Sequence, residues 1–139
     1  MGARVIAGVR TKQLEQAKAL NVAGVVAVDN PDAVASLEAL DAVADTVNGA
    51  TAALLIGKVK AGGTFASVLG APQNSAEYPS VNVVPVVARA EPKALLEMAK
   101  AVVEGKLTLP IAAKKPLKEA AAAHELVAKG VNGKVLLVA

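Results

Sequence analysis

The feature that most constrains this chain is the alternation of short apolar runs with segments of helical periodicity along its whole length. The apolar runs predict strands at 3–9, 24–28, 41–47, 64–69, 81–88 and 134–138. The segments between them predict helices at 13–20, 31–40, 50–58, 91–104 and 116–129, and a loop at 60–63. Strictly alternating elements predict an α/β fold with a mainly parallel sheet, right-handed crossovers and helices on both faces.

The composition supports this fold class. A chain of 139 residues suits a single domain spanning 1–139, and with 54% hydrophobic residues it is too apolar to be disordered. Phe65 and Tyr78 are its only aromatic residues, so the core must consist of Val, Leu, Ile and Ala. Such residues fill strands that are covered on both faces.

Charge and composition also exclude several classes of function. The net charge is only +3, without a long Lys/Arg run or aromatic stacking platforms, which argues against nucleic-acid binding. The absence of cysteine excludes disulfides, zinc–thiolate sites and thiol catalysis. No apolar run approaches the ~18 residues of a membrane span, and no signal-peptide pattern is present, so we expect a cytoplasmic protein.

No group of residues has the spacing of a catalytic or metal site. His124 is the single histidine, and its apolar neighbours on a predicted helix indicate a core or boundary position. Ser67 has no GxSxG elbow around it and is interpreted as a strand serine. Asp41 and Asp45 share one face of a strand, but one carboxylate pair is weak support for a metal. We therefore predict no catalytic and no metal-binding residues.

The basic turn after the first strand is the best ligand clue. Arg10, Thr11 and Lys12 follow that strand and precede a helix, with the small residue Gly8 just before them. In a dinucleotide-binding sheet, a small residue with nearby cations at this place accommodates the 2′-phosphate of NADP. The alternative is a solvated helix N-terminus with incidental charges, although cations are slightly unfavourable there.

Several runs together resemble the nucleotide-binding domain of medium-chain dehydrogenase/reductases. The resemblance is carried by GARVIAGVRTKQLEQAKAL (2–20), DAVADTV (41–47), GKVKAGGTFASVLGAP (57–72), EMAKAVVEGKLTLPIA (97–112), PLKEAAAAHELVAKG (116–130) and NGKVLLV (132–138). Their order and spacing cover essentially the whole chain. The most similar branch is the zinc-free, quinone oxidoreductase-like one.

The resemblance implies a Rossmann-like fold and a set of cofactor-binding positions. Gly8, Arg10, Thr11 and Lys12 match the end of the family's second strand, where the adenosine end of NADP is bound. The positions after the fourth and fifth strands, which line the cofactor, correspond to Thr46, Val47, Val68, Leu69 and Gly70. Residues 81–87 match the sixth strand, whose edge commonly pairs across a homodimer.

The sequence also departs from the family pattern. The catalytic domain, the first Rossmann strand and its glycine-rich, pyrophosphate-binding turn have no counterpart before residue 2, so NADP is expected to bind weakly or not at all. Asn21 and Asn48 stand where the family often has glycine. Loss of a central strand leaves two unpaired edges. Three explanations remain open. The strand at 135–138 could move into the gap, a second copy could pair with the exposed edges, or the chain could be a piece excised from a larger enzyme.

Two functions follow from the resemblance and its gaps. The first is a truncated NADP-binding domain of an NADPH-dependent quinone or enone oxidoreductase-like protein, inactive alone. The second is a non-catalytic α/β module that self-associates through a sheet edge. The residues alone leave open whether this chain is an enzyme.

Overall fold

The computed structural model of the chain describes residues 2–139, which form seven strands and five α-helices. The strands are β1 (Ile6–Val9), β2 (Gly24–Ala27), β3 (Leu40–Asp45), β4 (Val59–Ser67), β5 (Asn82–Pro85), β6 (Ile111–Pro116) and β7 (Lys134–Val138). The α-helices are α1 (Leu14–Ala17), α2 (Pro31–Ala35), α3 (Gly49–Ile56), α4 (Pro92–Val103) and α5 (Ala120–Ala128). All strand pairs are parallel, which confirms the predicted α/β class.

The chain divides into two compact units, Met1–Ala88 and Arg89–Ala139. The first contains a two-stranded sheet, β1-β2, and a three-stranded sheet in the order β3-β4-β5. The second contains the two-stranded sheet β6-β7, with α5 between its strands in sequence. The expectation of one domain over 1–139 stays a prediction.

The core of the first unit lies between α3 and the β3-β4-β5 sheet. Phe65 and Ile56 are both 0% exposed there. They pack with a cluster of small and β-branched side chains, namely Val43, Ala52, Val59 and Val81. The core is therefore aliphatic with one central aromatic ring, as the composition predicts.

Strand β5 lies at the edge of its sheet and contains Pro85. The amide of Val86 donates to the Ser67 carbonyl of β4 at 2.8 Å. Backbone groups alternate sides along a strand, so Val84 also faces β4 whereas Pro85 faces outward. The missing N–H of proline therefore falls on the free side, where no ladder bond is lost.

Two local predictions are wrong. Residues 60–63 belong to β4 and not to a loop, because the β3-β4 register shifts between Leu40 and Ala42 and accommodates Gly62 at φ 77°. His124 is exposed on α5 and not a core or boundary residue, since the buried position of that helix is Ala123. Neither change affects the strand order.

Candidate functional site

The carboxyl ends of β3 and β4 are joined by a buried side-chain network. Asp45 is 6% exposed and Ser67 is 1% exposed, and the Ser67 hydroxyl donates to Asp45 Oδ2 at 2.6 Å. The amides of Val47 and Asn48 donate to Asp45 Oδ1 at 3.1 and 3.0 Å. Burial raises the pKa of Asp45, but the hydrogen bonds from Ser67, Asn48 and Val47 outweigh it, so the pKa lies below its ordinary value.

Asn48 connects the turn after β3 to the turn after β4. Its φ is 61°, in the region that favours glycine, and its side-chain oxygen accepts from the Gly49 amide at the start of α3. Its Nδ2 donates to the Leu69 carbonyl at 2.9 Å. The side chain thus compensates for the unusual backbone and holds the two turns against each other.

The basic turn after β1 is hydrogen-bonded to a carboxylate of the same chain, that of Asp29. The amide and the hydroxyl of Thr11 both donate to Asp29 Oδ1, each at 2.8 Å. These bonds, and then the nearby Arg10, hold the pKa of Asp29 below its ordinary value. Arg10 and Lys12 themselves are exposed. Thr11 is therefore occupied in fixing the turn to the end of β2, whereas the two cations remain accessible.

A cavity of about 830 Å³ lies between β1 and β3. Residues from both strands line it, including Ile6 and Gly8 on one side and Ala42 and Ala44 on the other. Gly8 is tightly fitted there, because a Cβ would lie 2.7 Å from the Val28 side chain. Thr46 and Val47 border the cavity just beyond the carboxyl end of β3.

The structure brings together some of the predicted cofactor positions. Gly8, Thr46 and Val47 line the same cavity, and the Asn48–Leu69 bond places Val68, Leu69 and Gly70 beside them. Val47 and Leu69 are each 60% exposed, so the carboxyl edge presents apolar surface to solvent. Arg10, Thr11 and Lys12 lie outside that cavity lining.

Sequence reasoning missed Asp29 and the Asp45–Ser67 pair. The two contacts join residues 18 and 22 positions apart along the chain. One signal was present, since each of these side chains stands at the end of a predicted strand. Parallel strands bring such ends to one edge, so a polar network there could have been predicted.

The donor chemistry of the chain does not fit zinc. Zinc sites in proteins use several Cys, His or carboxylate ligands, whereas this sequence has no cysteine and one histidine. Within residues 2–139, no group of three or more His, Cys, Asp or Glu side chains lies close enough to hold a metal ion. In the same part of the chain, no helix has the length and hydropathy needed to cross a bilayer.

The fold is similar to that of known dehydrogenases. Over 98% of this chain, it matches 45% of the quinone oxidoreductase from Coxiella burnetii, with 25% identity and a TM-score of 0.82. An NAD-dependent alcohol dehydrogenase matches over 99% of this chain and 44% of its own, at 28% identity and a TM-score of 0.78.

A quinone oxidoreductase of Pseudomonas syringae pv. Tomato shares the fold at 23% identity, with a TM-score of 0.76 over 99% of this chain and 50% of its own. The chain thus spans about half the length of the solved structures that it matches. No curated protein sequence matches it.

The sequence agrees with the fold, because the family model for zinc-binding dehydrogenases matches residues 13–137. The dehydrogenases of that family depend on nicotinamide dinucleotides. The chain therefore belongs to the zinc-binding dehydrogenase family of medium-chain dehydrogenase/reductases and resembles their Rossmann-like nucleotide-binding domain.

Proposed function

We propose that this chain is the NADP-binding part of an NADPH-dependent quinone or enone oxidoreductase-like protein, in the cytoplasm, and that it does not turn over substrate alone. The observation that supports this most is the carboxyl edge, where Thr46, Val47, Val68, Leu69 and Gly70 gather around the Asp45–Ser67 network. Ligands of open α/β sheets bind at this edge.

The cations of the basic turn support NADP in preference to NAD. Arg10 and Lys12 are exposed beyond the end of β1, where they would bind the 2′-phosphate of the adenosine ribose. Thr11 would act indirectly, because its amide and hydroxyl hold the turn on Asp29. The exposed Val47 and Leu69 side chains would contact the nicotinamide half, which supplies hydride to an electrophilic carbon when the cofactor is bound.

The absence of turnover is proposed because this chain covers 45% of the quinone oxidoreductase that it resembles. The substrate pocket of a two-domain dehydrogenase needs groups from both domains. Asp45, the acidic side chain at the carboxyl end of β3, is buried and already hydrogen-bonded to Ser67 and to the amides of Val47 and Asn48. Binding without catalysis is therefore the expected behaviour.

Calorimetric titration with NADPH and NADH tests this proposal. We expect the double variant Arg10→Ala/Lys12→Ala to lower NADPH affinity about tenfold, equivalent to about 1.4 kcal/mol, and to leave NADH affinity unchanged. The variant Lys93→Ala/Lys100→Ala removes the same charge from α4 and serves as the control. NADPH binding that survives the first double variant would contradict the role of the basic turn, and consumption of NADPH with an added quinone would contradict inactivity.

A second candidate function is self-association through the edge of β5 in a non-catalytic module. Exposed apolar side chains along and beyond this strand favour it, with Val86 46% and Val87 75% exposed. Static light scattering over a hundredfold concentration range separates the two functions. A mass that doubles with concentration, without NADPH binding, supports the module, and a constant monomer mass with NADPH binding rejects it.

A further inference from the structure

The chain contains two Asn-Gly pairs, Asn48-Gly49 and Asn132-Gly133. Asparagine is among the thermolabile residues of proteins, because the backbone nitrogen that follows it can attack its side-chain amide carbon. Glycine in the next position favours this reaction, since it has no Cβ to hinder the approach of its nitrogen. Both pairs therefore have the same chemical capacity for deamidation, and their surroundings in the fold decide which of them reacts.

The side chain of Asn48 is held by a hydrogen bond at each end. It is half-buried, its Oδ1 accepts from the Gly49 amide at 2.6 Å, and its Nδ2 donates to the Leu69 carbonyl at 2.9 Å. The hydrogen of the Gly49 amide thus points at Oδ1, whereas attack requires the nitrogen itself to approach Cγ. The first bond must break before attack and the second before ammonia can leave, so the fold slows deamidation at Asn48.

Asn132 lies in the bend that precedes β7, and its side chain is exposed. Within residues 2–139, no hydrogen bond is made by that side chain or by the Gly133 amide. The side chain is therefore free to rotate toward the Gly133 nitrogen. Water has access to the same place, where it can accept the proton that the nitrogen must lose.

The fold requires glycine at position 133. Its φ is 122°, and a Cβ there would lie 2.5 Å from the Pro110 carbonyl oxygen. The amide of the next residue, Lys134, donates to that same oxygen at 2.7 Å, and Lys134 is the first residue of β7 to pair with β6. A bulkier residue after Asn132, which would hinder the attack, is excluded by the packing that begins β7.

We propose that Asn132 is a site of spontaneous deamidation and isoaspartate formation. The Gly133 nitrogen loses its proton and forms a bond to Asn132 Cγ, while the C–N bond of the side-chain amide breaks and ammonia leaves with one added proton. Water then opens the cyclic imide. Cleavage of the bond from the Gly133 nitrogen to Cγ gives aspartate, and cleavage of its bond to the backbone carbonyl carbon gives isoaspartate. No atom is oxidised or reduced, and only water is consumed.

Isoaspartate changes both the charge and the backbone at this position. Its main chain runs through Cβ, so the link between residues 132 and 133 becomes one carbon longer, and a carboxylate replaces a neutral amide. The extra carbon shifts Gly133 against Pro110, where there is no room even for a Cβ. The hydrogen bond from the Lys134 amide to Pro110 is expected to weaken, which frays the first residues of β7.

Ageing of the full chain in warm buffer, below its unfolding temperature, tests the proposal when it is followed by tryptic digestion and mass spectrometry. Cleavage after Lys129 and Lys134 releases residues 130–134, in which Asn132 is the only asparagine. Acid at Asn48 is measured by fragmentation of the peptide 19–58. Because two hydrogen bonds hold Asn48, we expect acid to form at Asn132 at least about tenfold faster.

The same measurement in urea separates the effect of the fold from that of the sequence. Unfolding removes the hydrogen bonds of Asn48, so the two Asn-Gly pairs should form acid at similar rates there. Asn132→Gln is the matched variant, because glutamine keeps the amide but would have to close a larger ring. It should lose the product in residues 130–134 and leave the product at Asn48 unchanged.

Two further measurements identify the product and its effect. Labelling by an isoaspartyl methyltransferase, which esterifies isoaspartate and not aspartate, should increase with age in the unmodified chain and stay near its starting level in Asn132→Gln. Amide hydrogen exchange at Lys134 should be faster in the isoaspartyl form than in the fresh chain.

Three results would overturn the proposal. The first is acid formation in the folded chain at Asn48 as fast as at Asn132. The second is acid in residues 130–134 only after unfolding in urea, because the fold would then protect both pairs. The third is methyltransferase labelling that is equal in the unmodified chain and in Asn132→Gln. Unchanged exchange at Lys134 in the isoaspartyl form would contradict the effect on β7.

Discussion

The Asp45–Ser67 contact allows one quantitative prediction. Ser67→Ala removes the hydroxyl that donates to Asp45 Oδ2 at 2.6 Å and accepts from the Leu69 amide at 3.1 Å. Leu69 is exposed, so its amide can bond to water instead. The main loss is therefore one buried hydrogen bond to a charged group, which lowers the free energy of unfolding by about 2 kcal/mol at pH 7.

The effect should depend on pH in a defined direction. The pKa of Asp45 in the folded chain lies below its ordinary value of 3.8. Stability from the ionised carboxylate is thus complete above that value and is lost as pH falls through the lower folded-state pKa. Once Asp45 is protonated the bond is an ordinary neutral one, and the difference between Ser67→Ala and the unmodified chain should shrink to about 1 kcal/mol.

Urea unfolding followed by far-ultraviolet circular dichroism gives these differences at pH 7 and at a pH below the folded-state pKa of Asp45, which carbon-13 NMR titration locates. Ser36→Ala is the matched control, because the Ser36 hydroxyl is exposed and donates only to the Ala33 carbonyl. It should cost less than about 0.5 kcal/mol at both pH values. A Ser67→Ala loss as small as that of the control, or equal at the two pH values, would refute the charged network.

Two further predictions concern the core and the basic turn. Ile56→Val removes one methyl group from a fully buried site and should lower the free energy of unfolding, measured with urea, by about 1 kcal/mol. Leu54→Val, on the exposed side of α3, should lower it by less than half as much. Equal losses would contradict the location of the core between α3 and the sheet. Thr11→Val removes the hydroxyl that donates to Asp29 Oδ1, so the pKa of the Asp29 carboxyl, measured by carbon-13 NMR titration, should rise toward its ordinary value. The Asp41 pKa, held low by Lys60, should not move in that variant, and an unchanged Asp29 would contradict the role of the hydroxyl.

The elements of the fold were predictable because their signals are local. Apolar runs bounded by Gly, Asn or Asp placed most strands to within a few residues, and 134–138 matches β7 throughout. Pro31 and Asn30 marked the start of α2, where the Asn30 side chain caps the amides of Asp32 and Ala33. The stretch 60–63 was predicted as a loop because glycine is a turn signal. Here Gly62 lies inside β4, where the pairing of β3 with β4 changes register.

The arrangement of the elements was less predictable, because it depends on contacts between distant residues. Nothing near Thr11 in sequence indicates that Asp29 will be its acceptor. Likewise, the sequence pattern around Asp45 indicates which face of the strand its side chain occupies. It does not indicate that Ser67 of β4 lies beside it. Two unpaired strand edges were expected from the resemblance, and the sheet order and the cavity show that β1 and β3 lie on its two sides.

Pro85 has a consequence for how these chains behave when concentrated. The backbone groups of Val83 and Pro85 point outward from the edge of β5, and Pro85 has no N–H to donate. A continuous intermolecular sheet needs an unbroken row of donors, and growth of a fibril through β5 would stop at this position. The proline thus acts as a gatekeeper against amyloid-like stacking at an edge whose valines would otherwise promote it.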